Sequence, residues 1–495
     1  MHINLNEIYS INPDYLLRHD LYRTFVVSRE RQNNDSSNSW KEMIHPLQAQ
    51  FFSFFTHGNT LNLTIKNIAN HFNLECDEVL SIISPYVDNK EEFTTSFCGE
   101  DFPFPKNFIV RVEKTYKKFT PEHFKYENLD FNKFRMFSGP MDMTLMLTNT
   151  CATNCVYCYA DVNHKVQNHL SLDVIKKIIK NAYDLNVNDF GLLGGEIFFH
   201  KNWKEVFQEL DVYGFFPEII STKYPLNENQ IQFLKSMGIS KIQISLDSVD
   251  NDILARMLKT TNSYASKIFN TIYLLNKYEF DIQIAITLTK HNSSMKQIDD
   301  LLDFLSKYKK IVNVDIGPAF YSLYLDENFD KWGISKDDFD TLLKYYVYET
   351  ENKYSFEINF DTSFTDRGFY SCFKGSNHFN GGACSANRTH MFVLPDGKVT
   401  ICEQLYWNED FIIGDLNFQT IEEIWNSPKA LKLASLGIED FSESSACKHC
   451  NNFDSCHENV NKCWVDIIKA FGKENWDYPD PRCAFAPKMI NNIQF

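Results

Sequence analysis

The chain has 495 residues, more than one ordinary core supports, so roughly two to four domains are expected. A net charge of -16 and a pI near 5.4 repel phosphate backbones and argue against nucleic acid as the main partner. The N-terminus lacks a basic patch followed by an apolar run, and no apolar stretch of about twenty residues is present, so a cytoplasmic protein with no membrane partner is expected. In a reducing compartment its thirteen cysteines read as metal ligands or catalytic groups rather than as disulfides. The 43 Phe are spread over every segment, which fits codon usage better than an aromatic groove.

In chain order, the polar stretch 30–40 separates two periodic regions, and 45–92 reads as three short helices: HPLQAQFFSFFTHG, LTIKNIANHFN and CDEVLSIISPYVDN. With the strand-like FIVRV (108–112) they make the pattern of a winged helix-turn-helix. From Leu61 to Glu92 only Lys66 and Lys90 stand against Glu75, Asp77, Glu78, Asp88, Glu91 and Glu92, a sign that DNA would repel. The same fold can instead offer a strand edge to an extended peptide, or be purely structural. Cys76 and Cys98 have no partners at metal spacing and read as ordinary buried residues.

From Met143 short strands alternate with amphipathic helices. The strands are MTLMLT, DFGLLGG, PEIIST, KIQISLD, IQIAITLT and NVDIGPA. About six such units imply a parallel sheet with right-handed crossovers, an α/β incomplete barrel of TIM-like (β/α)6 type, with chemistry at the C-terminal strand ends. At the end of the first strand CATNCVYC puts Cys151, Cys155 and Cys158 on one loop. A cubane iron–sulfur cluster normally takes four cysteines, so three leave one iron open to a chelating small molecule. Structural zinc is the bland alternative; it needs four closed ligands, and locally only His164 is near enough to be considered.

The spacing CxxxCxxC with Tyr157 before the last cysteine resembles the signature of the radical S-adenosylmethionine (SAM) enzymes. That resemblance implies that the open iron binds the amino and carboxylate groups of SAM and that Tyr157 lies against the adenine. It implies further that one electron passed to the sulfonium yields methionine and a 5′-deoxyadenosyl radical. Gly194, Gly195 and Glu196 follow the second strand where the family places a methionine-binding motif, though Ile197 stands where proline is usual. Ser221 and Thr222 end the third strand where the family often reads the ribose, and Ser245 and Asp247 end the fourth. Arg256 follows at the spacing of relatives in which a serine and an arginine hold the SAM carboxylate. Singly, Ser221 or Thr222 could cap a helix and Arg256 could sit on a solvated face.

Eight cysteines follow residue 371: Cys372, Cys384, Cys402, Cys447, Cys450, Cys456, Cys463 and Cys483. Twelve residues separate Cys384 from Gly397 and four more precede Cys402, and Cys447, Cys450 and Cys456 fit CX2CX5C. The spacing resembles the SPASM extension of radical SAM enzymes, except that six residues rather than three precede Cys463. The resemblance implies a first auxiliary cluster on Cys384, Cys402 and Cys463 and a second on Cys447, Cys450, Cys456 and Cys483. Cys372 is either an additional ligand of the first or leaves that iron open for substrate. Three [4Fe-4S] clusters plus SAM are therefore expected; a zinc ribbon is the alternative at 447–456.

Taken together, the chain resembles the maturases of ribosomally made, post-translationally modified peptides (RiPPs). The division expected is a winged-helix domain like a RiPP recognition element (RRE) at 1–120, a linker at 121–140 and a partial barrel at 141–335. A bridging region at 336–371 and a SPASM domain at 372–495 complete it. The first domain would hold a precursor's leader while the core peptide receives a thioether or carbon–carbon crosslink, with a flavodoxin or ferredoxin as reductant. A sulfatase-maturing enzyme is the rival, because such relatives place an acidic base after an auxiliary cysteine, as Glu403 follows Cys402. A non-catalytic peptide-binding partner and a DNA-binding regulator belong to other classes; the intact three-cysteine loop speaks against the first and the acidity against the second.

Overall fold

Short, strongly patterned segments build this chain, and a computed structural model describes residues 4–28, 40–112, 117–132, 135–217, 219–261, 263–325, 329–349, 353–361, 384–459, 462–491 and 493. Two units result, one of 1–142 with 181–189 and one of 143–180 with 190–495.

In the first unit β1 (Tyr9–Ile11) precedes an antiparallel sheet of β2 (Tyr15–Asp20), β3 (Arg23–Ser28) and β4 (Lys41–Ile44). Three helices follow: α1 (Pro46–Ser53), α2 (Leu61–Phe72) and α3 (Cys76–Ile83). His45 caps α1, its Nδ1 accepting the Leu47 N–H while Gln48 accepts the His45 N–H. Along α2, Leu61, Ile65, Ile68 and Ala69 are buried at three- and four-residue spacing, and Asn73 ends the helix in the left-handed conformation.

The hairpin after these helices is β5 (Phe93–Phe97) with β6 (Glu100–Phe104), not the segment 108–112. There β7 (Ile109–Arg111) pairs antiparallel with β1 instead. Cys98 and Gly99, both at positive φ, form the two-residue turn of that hairpin, the geometry whose twist suits flanking strands. This corrects the reading of Cys76 and Cys98 as buried: both are exposed, Cys98 at the turn tip and Cys76 at the start of α3.

Phe52 packs edge to face on Tyr86, Phe104 and Phe108 at 4.8, 5.5 and 5.1 Å between ring centroids, contacts worth about 0.5–1.5 kcal/mol each beyond area burial. Residues 135–140, within the segment read as a linker, are tied down by buried charges. The Asp20 carboxylate accepts the Phe137 and Ser138 N–H groups, and Arg18 donates to the Gly139 and Pro140 carbonyls.

The second unit is α/β, as the alternation implies. It runs β8 (Asp142–Met146), α4 (Leu172–Asp184), β9 (Asp189–Leu193), α5 (Trp203–Val212), β10 (Ser221–Thr222), α6 (Glu228–Ser236) and β11 (Lys241–Ser245). Then come α7 (Asn251–Leu258), α8 (Tyr264–Lys277), β12 (Asp281–Leu288), α9 (Met295–Leu305), β13 (Ile311–Pro318), α10 (Lys336–Lys344) and β14 (Glu357–Phe360). Strands β10 to β14 lie in sequence order and pair in parallel. On β12 the branched side chains Ile282, Ile284, Ile286 and Leu288 are buried on one face, the period that places a strand in a half-covered sheet.

Two expectations change here. The strand count rises from six to seven, because β14 in the segment read as bridging joins β13 with Val314 opposite Ile358. The strands also divide between two sheets: β8 and β9 share one with β15 (His390–Val393), β16 (Lys398–Thr400) and β17 (Ile412–Asp415), in the order β17-β16-β15-β8-β9. The C-terminal strands thus extend the sheet that carries the first cysteine loop. Helices α11 (Ile421–Trp425), α12 (Pro428–Ala434), α13 (Phe453–Asn459) and α14 (Trp464–Phe471) complete the unit. Among the described residues no helix is long and apolar enough to cross a membrane.

Candidate active site

Cys151, Cys155 and Cys158 follow β8 on a loop pinned to the end of α7, where the Asn154 and Val156 N–H groups donate to the Leu258 and Met257 carbonyls at 3.0 and 2.9 Å. The Thr153 hydroxyl lies 3.6 Å from the Cys151 thiol and 3.2 Å from that of Cys155. Burial, reinforced by Cys155 and Cys151, pushes the Cys158 thiol up to about 11. His164, the local candidate for a fourth zinc ligand, stacks on Trp407 with ring centroids 3.9 Å apart.

Tyr157 is buried, and its hydroxyl donates to Asp247 at the end of β11. Lys223, which sequence reasoning missed, lies just after β10; its ammonium donates to the Tyr157 hydroxyl at 2.6 Å and to Asp247 at 3.1 Å. Burial pulls the Lys223 ammonium down, but Asp247 and the thiols of Cys155 and Cys151 outweigh it, so the net shift is upward. The other Asp247 oxygen accepts the Thr287 N–H at 2.8 Å, fixing the carboxylate to β12. Lys223 directly follows Ser221 and Thr222 at the strand end, but its partners come from strands that meet only in the sheet.

Glu196 is buried with its carboxylate accepting the Thr222 hydroxyl at 2.7 Å, and burial raises it to about 7 against the pull of Thr222 and backbone N–H groups. Gly195 is required by close approach: a Cβ there would lie 2.5 Å from the Thr150 carbonyl oxygen and 2.7 Å from that of Asn149. Gly194 would likewise meet the Thr148 carbonyl oxygen at 2.9 Å. The two glycines therefore let the turn after β9 pack on the start of the cysteine loop. Ser221 is exposed and Ser245 half-buried, while Arg256 is exposed with its Nε donating to the Asp252 carbonyl of its own helix. Among the described residues no hydrogen bond joins Arg256 to Ser245.

The C-terminal thiols fall into two neighbourhoods. Burial pushes Cys402 up to about 12 with Glu403 and Cys384 adding to it, and Cys463 is raised by burial, Asp466, Asp480 and Cys402. Cys447 is pushed up to about 11 by burial and then by Cys483 and Cys456, and Cys456 to about 11 by burial, Cys483 and Cys450. Thus Cys402 senses Cys384 and Cys463 senses Cys402, while Cys447 and Cys456 both sense Cys483 and Cys456 senses Cys450. Cys372 lies outside the described residues. Lys462 is half-buried with its Nζ shielded from solvent, and burial lowers its ammonium to about 8 although Cys447, Asp477, Cys456 and Asp480 pull it upward.

Tyr159 directly follows Cys158 and Glu403 directly follows Cys402, and the charges of Glu403 and Cys402 reach Tyr159. Burial and then Glu403, Cys158 and Cys402 push the Tyr159 phenol up, while 41% of the residue is open to solvent. Glu403 is half-buried, and burial alone raises its carboxyl. Ala160, Met146, Phe392, Leu394 and Tyr406 pack into one apolar cluster bordered by Cys158, Tyr324 and Trp407, which holds the cysteine loop against β15 and the residues after it. The Tyr324 hydroxyl donates to the Gln404 carbonyl at 2.8 Å across this seam.

The donor set fits iron–sulfur clusters. Thiolates are the ligands such clusters take, the thiols occur in groups that sense one another's charge, and the half-buried Lys223 and Lys462 lie within electrostatic reach of two of the groups. Among the described residues no three His, Cys, Asp or Glu side chains converge to hold a single ion, and a cubane asks for no such convergence because its ligands sit on separate irons.

A parallel α/β sheet with a three-thiol loop at a strand end and a thiol-rich C-terminal extension defines the radical SAM class. The chain matches the radical SAM superfamily over residues 145–305 and the SPASM iron–sulfur cluster-binding domain over 384–451, and it is a radical SAM enzyme with a SPASM extension. It is 22% identical over 302 residues to the sporulation killing factor maturation protein SkfB of Bacillus subtilis, covering 59% of this chain and 67% of that protein. It is 24% identical over 327 residues to the antilisterial bacteriocin subtilosin biosynthesis protein AlbA of the same organism, covering 65% and 66%. The chain thus spans about two thirds of the length of these curated relatives. In fold it is similar to Streptococcus suis SuiB, solved with S-adenosylmethionine and with the precursor peptide SuiA. The TM-score is 0.63 at 15% and 14% identity, covering 96% of this chain and all of SuiB.

Proposed function

We propose that this enzyme matures a ribosomally made precursor peptide, closing a thioether or carbon–carbon crosslink in its core. The observation that carries the reading is that Tyr159, next to Cys158 of the three-cysteine loop, lies within electrostatic reach of Glu403 and Cys402 of the C-terminal thiol region. Relatives named for the maturation or biosynthesis of a killing factor and a bacteriocin support a peptide substrate.

Cys151, Cys155 and Cys158 would hold the SAM-binding [4Fe-4S] cluster. Cys384, Cys402 and Cys463, with Cys372, would hold one auxiliary cluster, and Cys447, Cys450, Cys456 and Cys483 the other. When bound, these groups supply a 5′-deoxyadenosyl radical and an acceptor for the electron that substrate oxidation leaves behind, with a flavodoxin or ferredoxin as the external reductant. The chain's own residues do the rest. Tyr157, Gly194, Gly195, Glu196, Ser221, Thr222, Ser245, Asp247 and Arg256 form the SAM pocket. Tyr159 offers the core peptide a wall. Glu403 takes the proton that the new bond releases, a role suited to a carboxyl held above its usual range.

The first unit reads as an RRE-like winged helix that holds the leader: three helices follow a sheet ending on β4, where an extended segment can add a strand. Formylglycine formation on a sulfatase is the second reading, favoured by Glu403 directly after Cys402.

The test is anaerobic reconstitution and incubation with SAM, dithionite and the peptide encoded beside the gene. Mass spectrometry should show loss of two hydrogens from the core and one 5′-deoxyadenosine per event, both absent when Cys151, Cys155 and Cys158 are changed to Ala. SAM cleavage without peptide change, together with an aldehyde on a co-incubated sulfatase peptide, would replace the first reading by the second.

A further inference from the structure

Strands β10 to β14 are parallel and follow one another in sequence order, so right-handed crossovers place every connecting helix on the same side of their sheet. That side is apolar: Ile242, Ile244, Ile282, Ile284, Val314 and Ile316 are all buried. Alternation turns the residues between them to the opposite side, the interior of the partial barrel. One transverse row there is Ser245, Ala285, Asp315 and Asn359, paired in register from β11 to β14. At the usual strand spacing Asp315 lies about 10 Å across the sheet from Ser245 of the proposed SAM pocket, with only the small Ala285 between them. Asp315 is half-buried, and two neutral amides fix its carboxylate: Asn359 donates to one oxygen at 3.0 Å and Asn313 to the other at 2.8 Å. Each oxygen can accept a further hydrogen bond, and among the described residues no Lys, Arg or His pairs with this carboxylate. Gln243 and Gln283, side by side one row nearer the strand starts, are half-buried too, and their side chains make no hydrogen bond among the described residues.

We propose that Asp315 is a specificity residue whose carboxylate receives the cationic side chain of a Lys or Arg in the core of the substrate peptide. The proposal rests on the reading that a precursor peptide enters this barrel, and adds to it which side chain is read there. Asn313 and Asn359 orient the carboxylate without neutralising it, so a cation gains a charge-assisted hydrogen bond to a group already held in place. Asp361 strengthens the same field. Its N–H donates to the Ile316 carbonyl at 2.9 Å, and a Cβ at Gly317, two residues beyond Asp315 on the same face, would stand 3.8 Å from its Oδ2. A negative interior wall favours a basic side chain and rejects an acidic one. The Gln243 and Gln283 amides, each with donors and an acceptor, suit the main chain of the peptide that carries it.

The test uses the reconstituted full chain with SAM, dithionite and the peptide encoded beside the gene, together with a series in which each Lys and Arg of its core is replaced singly by norleucine. With the wild-type enzyme one replacement should lower kcat/KM for crosslinking by about tenfold or more, mainly through KM. Asp315→Asn should lose a similar factor on the parent peptide and no longer distinguish it from that replacement, because the two changes remove one interaction. A core without Lys or Arg, a series in which no replacement matters, or an Asp315→Asn protein that still discriminates overturns the proposal. If Asp315→Asn does not retain the parental iron, the wild-type enzyme decides: Glu at the critical position should be rejected about tenfold more strongly than norleucine, and equal rejection overturns the proposal. Wild type that cleaves SAM and leaves every peptide unchanged defeats the maturase reading and this proposal with it, whereas crosslinking indifferent to the cationic residue defeats the assignment of Asp315 alone.

Discussion

Lys223 and Asp247 come from the ends of two adjacent parallel strands, and their charged atoms lie 3.1 Å apart with the Tyr157 hydroxyl bonded to both. One ion pair thus ties the aromatic residue of the cysteine loop to the sheet that must hold the loop still. Asp247 is in turn fixed to β12 through Thr287, so three strands and one loop share a single polar node.

Removing one member of this node strands the other's charge. Lys223→Met and Asp247→Asn should each cost about 3–5 kcal/mol of stability, whereas Tyr157→Phe, which removes one hydrogen-bonding group, should cost about 1–3 kcal/mol. Thermal unfolding of the three variants ranks them. A Lys223→Met protein as stable as Tyr157→Phe would show that the ion pair adds nothing.

At Gly195 even one methyl group is too many, because both nearest atoms are backbone and cannot swing away. Gly195→Ala should destabilise by about 1–3 kcal/mol and move the loop that begins at Thr150. Iron counting should find the SAM-binding cluster depleted while the auxiliary iron remains. Full iron and unchanged SAM affinity would contradict the packing described.

Glu196 supplies a pH dependence with a definite sign. Burial raises its carboxyl to about 7 in the folded chain, above its ordinary value, so the folded state holds the proton more tightly. The contribution to stability is then fully present below the unfolded value and is lost as pH rises through about 7, by up to about 3 kcal/mol. Relative to Glu196→Gln, the thermal midpoint of the cluster-free wild type should fall between about pH 5 and about pH 8. Parallel curves for the two proteins would show that Glu196 does not titrate in that window.

Glu403 separates radical generation from product formation. Glu403→Gln should still yield 5′-deoxyadenosine but lose about 100-fold or more in crosslinked product, the usual worth of a positioned base. Because burial raises this carboxyl and the base form is the ionised one, wild-type product formation should climb with pH through the raised value. Loss of both activities together in Glu403→Gln would point to a structural role.

Much of the site was legible because thiol spacing is a local property. CATNCVYC places three ligands on one loop whatever surrounds it, and alternation in segments such as DIQIAITL marks strands without tertiary information. The hairpin turn at Cys98-Gly99 carries a local signal too, a two-residue turn ending in glycine between alternating runs. The seventh strand was harder: Glu357–Phe360 is only four residues long, too short for its period to stand out.

Lys223 and Lys462 belong to a different category. A lysine is usually solvated, and standing next to Thr222 or Cys463 in sequence does not tell which groups the ammonium meets. The sequence by itself determined the ligand chemistry, the α/β class and the order of the cysteine groups, because these depend on residue type and short-range periodicity. Only the tertiary structure decided that Lys223 pairs with Asp247, that β15 extends the sheet of β8, and that Glu403 comes within electrostatic reach of Tyr159. Those relations join residues tens to hundreds of positions apart through strand pairing and burial, and the Coulomb energies that make them matter exist only once folding has removed water from between the charges.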